Sequence, residues 1–276
     1  MYKFRELQKA ARKEIAGKEI RVAVLGNCAT QFFSEAIQGY GKISGLNLNV
    51  YDTDYNQIDA QLVDENSEVY AFHPDHILIW LATDKIYEEF LEMDMSSRSR
   101  FAELYMQKLE HYWSLIAAKS KAHVIQMNFT EINDKVLGNY SCKVESTFCY
   151  QIRKLNFLLQ EAMSKNGNIY PVDLLSLQIQ LGTKELYYAP LYYNAKMCID
   201  MKALPYVAKA VTDVLLAMSG KIKKCIVCDL DNTLWGGVIG DDGLGGIEIG
   251  ELGRGHAFTN LQLWLKQLKE CGIILA

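Results

Sequence analysis

Two aspartates, Asp229 and Asp231, stand two residues apart directly after the apolar run Cys225-Ile226-Val227-Cys228. Alternate residues of an extended segment face the same way, so both carboxylates address one site. One carboxylate can act as a nucleophile that carries a covalent intermediate, while a neighbouring carboxyl gives and takes the proton. Two negative groups repel an anion such as a phosphate, so the pair calls for a hard, oxygen-binding cation, and Mg²⁺ is the cofactor expected. The plainer reading of Asp229-Leu230-Asp231-Asn232 is an acidic turn closing a strand, because Asp and Asn are common in turns. A second reactive group is Cys28, in Gly26-Asn27-Cys28. It stands between an apolar run and a helical pattern, where a helix N-terminus favours thiolate over thiol.

These residues depend on the elements around them. Strands are predicted at 19–26, 46–51, 76–82, 122–128 and 168–173. A charged helix leads in over 1–18. Helical pattern follows at 30–38 (with Gly39 as its stop), through about 64, and at 97–119 and 145–164. Strands alternating with helices predict a parallel sheet covered on both faces. Residues 184–202 read as irregular, with tyrosines at 187, 188, 192 and 193 taken as packing between domains and a substrate-lining role left open. Residues 202–218 read as a helix.

A second sheet begins with a strand at 224–229, and open α/β sheets place their chemistry at the carboxyl ends of such strands. Nine of the 19 glycines fall between 236 and 255, a density that suits tight turns and positive φ, so this segment reads as a turn-rich flap containing Asp241 and Asp242. A helix at 254–271, with Phe258, Leu261, Leu265 and Leu268 on one face, then leads to a second strand at 272–276.

Composition sets bounds. The 276 residues carry a net charge of −4 and no long basic run, which argues against a nucleic-acid partner. The start is too charged for a secretory signal, and no apolar run approaches the roughly 20 residues of a bilayer span, so a membrane partner is not expected either. Seven dispersed cysteines fit reduced thiols in the cytoplasm better than a disulfide framework. Cys225 and Cys228, three apart on a strand, face opposite ways and read as two core thiols.

Asp-x-Asp-x-Thr after an apolar strand resembles the first motif of the haloacid dehalogenase (HAD) superfamily, and the continuation Trp-Gly-Gly-Val-Ile-Gly-Asp-Asp-Gly resembles its FkbH-like subgroup. The resemblance implies that Asp229 attacks phosphorus to form an aspartyl-phosphate and that Asp231 is the general acid and base. It places Mg²⁺ on the Asp229 side chain and the Asp231 carbonyl. Asn232, Thr233, Gly236 and Gly237 fall to substrate binding, Thr233 also bracing the loop, and the glycine-rich segment to a hairpin flap.

Later elements of the superfamily, a Ser or Thr after the second strand, a Lys and a further acidic Mg²⁺ ligand, fall beyond Ala276. The resemblance therefore implies poor turnover of phosphate esters by these 276 residues alone. In FkbH-like proteins a three-carbon glyceryl unit of an acyl phosphate passes to an acyl carrier protein, with loss of phosphate.

Gly26-Asn27-Cys28 occupies the place of Gly-Asp-Ser in SGNH hydrolases, with Cys28 for the nucleophile. Asp173-Leu174-Leu175-Ser176 stands where those enzymes have Asp-x-x-His, and Ala82-Thr83-Asp84 where they have Gly-x-Asn-Asp. Three roles stay open for Cys28: buried structural thiol, acyl-accepting nucleophile, or metal or redox group. The expected organisation is a lead-in at 1–19, an SGNH- or flavodoxin-like α/β domain at 20–183, a Tyr-rich connector and helix at 184–220, and the first β-flap-α-β part of a HAD Rossmann-like domain at 221–276. Two other readings remain: a plain small-molecule phosphatase whose degenerate SGNH domain recognises substrate, and a non-catalytic interaction protein.

Overall fold

A computed structural model describes residues 1–132, 134 and 136–276. The chain divides into two compact units, Met1–Leu216 and Ala217–Ala276. In the first, α1 (Phe4–Ala11), β1 (Glu19–Gly26), α2 (Gln31–Ile43), β2 (Asn47–Asp52), α3 (Ile58–Val63), α4 (Glu68–Ala71) and β3 (His76–Trp80) come in order. Then follow α5 (Thr83–Glu92), α6 (Phe101–Lys119), β4 (His123–Met127), α7 (Phe148–Ser164), β5 (Ile169–Val172), α8 (Leu174–Leu181), α9 (Thr183–Leu186), α10 (Ala189–Ala195) and α11 (Leu204–Met218).

The five strands form one parallel sheet in the order β2-β1-β3-β4-β5. Its centre is continuously apolar because both faces are covered: Val22 to Leu25 and Ile77 to Ile79 are wholly buried. One face joins Ala23, Leu25, Ile77, Ile79 and Val124 to the buried sides of α3, α5, α6 and α7 in a single cluster. The chain winds outward both ways from the β1–β3 pair, so the sheet's topological switch point lies between their carboxyl ends, at residues 27–28 and 82–84.

Several boundaries differ from the expected ones. Helix α2 passes through Gly39 and runs to Ile43. Gly39 is no stop; it is where α1 crosses, and a Cβ there would lie 2.1 Å from the Leu7 carbonyl oxygen. The lead-in helix has eight residues. Helix α5 was not anticipated, and the segment expected to be irregular holds α9 and α10.

The second unit contains β6 (Cys225–Ile226), α12 (Ile239–Gly246, broken at Gly243), α13 (Gly253–Glu270) and β7 (Ile274–Leu275). β6 and β7 pair in parallel. The glycine-rich flap is pinned at its base by an antiparallel bridge, with Gly236 and Glu248 exchanging N–H···O bonds of 3.0 and 2.8 Å. Its tip is the bent helix α12 rather than a plain hairpin. Cys225 is exposed and Cys228 half-buried, so neither is a core thiol; a two-stranded sheet buries too little around them. Among the described residues no helix is long and apolar enough to cross a membrane.

Candidate functional site

In the second unit the chain runs on past β6, with the Cys228 N–H bonded to the Ala276 carbonyl at 2.8 Å, and bends at Leu230. Asp229 is exposed, and its Oδ1 accepts the main-chain N–H of Leu230 at 2.8 Å. Asn232 has φ +55°, and that left-handed residue folds the loop back on itself. Its main-chain N–H reaches the Gly237 carbonyl at 3.2 Å, and its Oδ1 accepts the Gly237 N–H at 3.0 Å. The reversal brings Trp235 beside Asp231, whose Oδ1 accepts Trp235 Nε1–H at 3.0 Å and the N–H of Ile239 at 3.1 Å.

Thr233 is half-buried in the turn, its N–H directed at the Leu230 carbonyl, 3.3 Å. Gly236 is buried against Glu248 and Phe258, while Gly237 has φ +93°. Asp242 Oδ2 accepts the Val238 N–H at 2.8 Å, which caps the first turn of α12. Gln262 of α13 donates to the Leu234 carbonyl at 2.6 Å. Motif reasoning did not single out Trp235, Ile239 or Gln262, which brace this loop.

The donors here are hard oxygens: the Asp229 carboxylate and the main-chain carbonyl of Asp231. Among the described residues no three or more His, Cys, Asp or Glu side chains are assembled to hold a metal. The set fits a cation that takes one or two protein oxygens and completes its shell with water and phosphate, as Mg²⁺ does. It does not fit a closed structural zinc site, which needs four protein ligands.

In the first unit, Cys28 leaves β1 at the switch point and is 1% exposed. Beside it the Asn27 Oδ1 accepts the Ala82 N–H at 2.7 Å, joining the exits of β1 and β3. Within the first unit no histidine serves this thiol. His76 and His123 begin β3 and β4, His73 precedes β3, and so all three lie at the amino end of the parallel sheet, opposite Cys28. His111 is exposed on α6, and His256 belongs to the second unit. Asp173 caps α8, accepting the Ser176 N–H at 2.9 Å and its hydroxyl at 2.5 Å.

The thiol that neighbours Cys28 is Cys198, which is also buried. The neighbouring Cys28 first, then burial, pushes the Cys198 thiol up. Cys198 also lines a cleft of about 860 Å³ at the carboxyl end of the sheet, together with Thr83, Asp84, Thr130, Tyr187 and Tyr193. Burial pushes the Asp84 carboxyl up, against a hydrogen bond from Tyr187. Tyr192 donates to Glu88 of α5 at 2.6 Å. Tyr187 and Tyr192 thus pack on α5 within their own unit.

Residues 21–216 match the family described as FkbH, N-terminal domain. All of this chain superposes on 73% of the N-terminal part of the protein BF1531 from Bacteroides fragilis, which contains a phosphatase domain and is complexed with Mg, at 34% identity and a TM-score of 0.93. An acetyl xylan esterase, AlAXEase, superposes on 70% of this chain over 98% of its own, at 13% identity and a TM-score of 0.48. A lipase/acylhydrolase from Enterococcus faecalis does so on 72% over 96%, at 11% and 0.46. These last two are too remote to speak for chemistry. No curated protein sequence matches.

Proposed function

The chain belongs to the FkbH family, and from that premise we propose that it is a Mg²⁺-dependent phosphotransferase acting on a phosphorylated three-carbon acyl phosphate of the glyceryl type. Asp229 attacks the phosphorus of the substrate's ester phosphate; that P–O bond breaks, the acyl phosphate stays intact for transfer, and Asp231 delivers its proton to the departing oxygen. Asp231 then takes a proton from the water that hydrolyses the aspartyl-phosphate. The Asp229 carboxylate and the Asp231 carbonyl hold the cation, which when bound neutralises the phosphate oxygens beside the carboxylates.

The observation that supports this reading is the division of labour between the two carboxylates. Asp229 is exposed at the carboxyl end of β6, whereas Asp231 Oδ1 is held by two N–H donors. That leaves Oδ2 of Asp231 to carry the proton.

Acyl transfer completes the proposal. The Cys28 thiol attacks the acyl-phosphate carbonyl; a C–S bond forms, the C–O bond breaks, and phosphate leaves with the thiol proton. The thiol of an acyl carrier protein then displaces Cys28, whose sulfur takes back a proton. The seven free cysteines support a cytoplasmic setting. The net charge of −4 supports a small-molecule substrate and a protein partner rather than nucleic acid, and no membrane partner is invoked.

The test is an acid quench of the intact protein with substrate and Mg²⁺, followed by peptide mass analysis. A phosphoryl group on the Asp229 peptide, absent in Asp229→Asn, is expected. Phosphate on another residue, or full turnover by Asp229→Asn, sinks the assignment.

A further inference from the structure

Next to Cys28 in the chain is a buried donor with nothing to bond. Asn27 is 5% exposed, and its Oδ1 is committed to the Ala82 N–H at 2.7 Å. That bond fixes which way the carboxamide faces, because only its oxygen can accept there. The Nδ2 half is enclosed by protein and has no hydrogen-bond partner among the described residues. Joining the exits of β1 and β3 requires the acceptor alone, so the two N–H groups are a cost unless something else uses them. The chain bends at Asn27 and Cys28, so the alternation of an extended strand, which would put the two side chains on opposite faces, does not apply.

The surroundings favour a negative oxygen. Ala82 precedes the first turn of α5, a ten-residue helix with no side-chain cap, and Ala82 and Thr83 line the cleft. The positive end of that helix therefore lies beside the Asn27 carboxamide. Asp84 in the same turn opposes it, and burial pushes the Asp84 carboxyl up, towards its uncharged form. Beyond Cys28, the N–H of Ala29 donates to the Lys196 carbonyl at 2.8 Å, tying the exit of β1 to the turn after α10. Lys196 is left-handed, with φ +54°, and Met197, Cys198 and Ile199 after it are buried. Donor and thiol thus share a place away from water, where a hydrogen bond to a charge is strong.

We propose that Asn27 is a catalytic donor that binds the carbonyl oxygen of the acyl group while Cys28 is acylated. The inference rests on the reading of Cys28 as the acyl-accepting group and deepens it. As the Cys28 sulfur bonds to the carbonyl carbon, the C=O electron pair moves onto oxygen, where the Asn27 N–H and the positive end of α5 stabilise the charge. The pair then re-forms C=O, the C–O bond to phosphate breaks, and phosphate leaves with the thiol proton. Asn27 itself forms no covalent bond and gives up no proton.

The test sets acylation against alkylation of the same sulfur in the full chain, each followed by mass analysis of the Cys28 peptide. Acetyl phosphate builds charge on a carbonyl oxygen; iodoacetamide, which reacts at a saturated carbon, does not. Asn27→Asp keeps the acceptor for Ala82 and removes the donor, while Asn27→Ala removes both, with circular dichroism to check folding. Both variants are expected to lower the ratio of acetylation rate to alkylation rate about 100-fold. An unchanged ratio overturns the proposal and leaves the acyl-accepting role of Cys28 standing. Nuclear magnetic resonance of the unaltered, isotope-labelled chain needs no variant to fold: acetylation of Cys28 should move the Asn27 carboxamide protons downfield, and unmoved protons also overturn the proposal. If the unaltered chain takes no acetyl group at Cys28, the acyl-accepting role fails and the donor role fails with it.

Discussion

The indole N–H of Trp235 donates to Oδ1 of Asp231 at 3.0 Å, across a loop reversed by the left-handed Asn232. The relationship orients a carboxylate whose task needs one oxygen held and the other available. Among the described residues, removing the indole donor leaves the Ile239 N–H on that oxygen. Trp235→Phe in the intact protein should therefore lower kcat roughly tenfold, the worth of one hydrogen bond to a charged group, with KM little changed. Steady-state kinetics check this, and an unchanged kcat removes Trp235 from the proposed machinery.

The flap base offers a steric test. A Cβ on Gly236 would lie 2.9 Å from Glu248 Cβ and 3.0 Å from Phe258 Cε2. Gly236→Ala should open the Gly236–Glu248 bridge at a cost of about 1–3 kcal/mol. Hydrogen exchange at the Gly236 and Glu248 amides should rise sharply, with the first unit unaffected. Retained protection at both amides would count against the bridge.

At the other end of the first sheet, His76 is buried on β3, its ring 5.8 Å from that of His123. Burial pushes its pKa down from 6.5 to about 4. The folded state therefore refuses a proton that the unfolded chain binds, so stability falls as pH drops from 6.5 towards 4 and is untouched by this group above 6.5. Between about pH 7.5 and about pH 4.5 the group should cost roughly 2–3 kcal/mol. Urea unfolding at the two pH values, compared between this protein and His76→Leu, should show a flatter dependence in the variant. Identical slopes would falsify the assignment.

The crossing of α1 over α2 is equally specific. A methyl group at Gly39 would meet the main chain of Leu7, which is wholly buried. Gly39→Ala should detach α1 or strain the crossing, with a stability loss of about 1–3 kcal/mol despite the better helix propensity of Ala. Faster proteolysis within residues 4–11 would accompany it; a variant as stable as the parent would contradict the packing.

The five strands of the first unit were legible because buried parallel strands are continuous apolar runs, as in His76–Trp80. Helix α5 was not, because Thr83-Asp84-Lys85 follows that run with polar residues and the helix buries a narrow stripe, Thr83, Ile86 and Phe90. Gly39 misled because a glycine that ends a helix and a glycine that admits a neighbour look alike in sequence. The Asp229–Asp231 pair is read from its spacing after an apolar run and from the resemblance of its motif. Its braces were not, since Trp235 returns to Asp231 only through the backbone conformation of Asn232. Cys198 carried no local signal either; the fold, not the sequence, buries it in the wall of the cleft.

The Ala29–Lys196 junction also sets an order of events. It links the exit of the first strand to the turn that precedes α11, so it closes a very long stretch of chain and depends on the intervening sheet being in place. Local helices form on far shorter timescales than such closure. Shielding of Cys198 from thiol reagents is thus a clock hand for the last stage of assembly, and a newly made chain would expose both sulfurs until its final turns have docked.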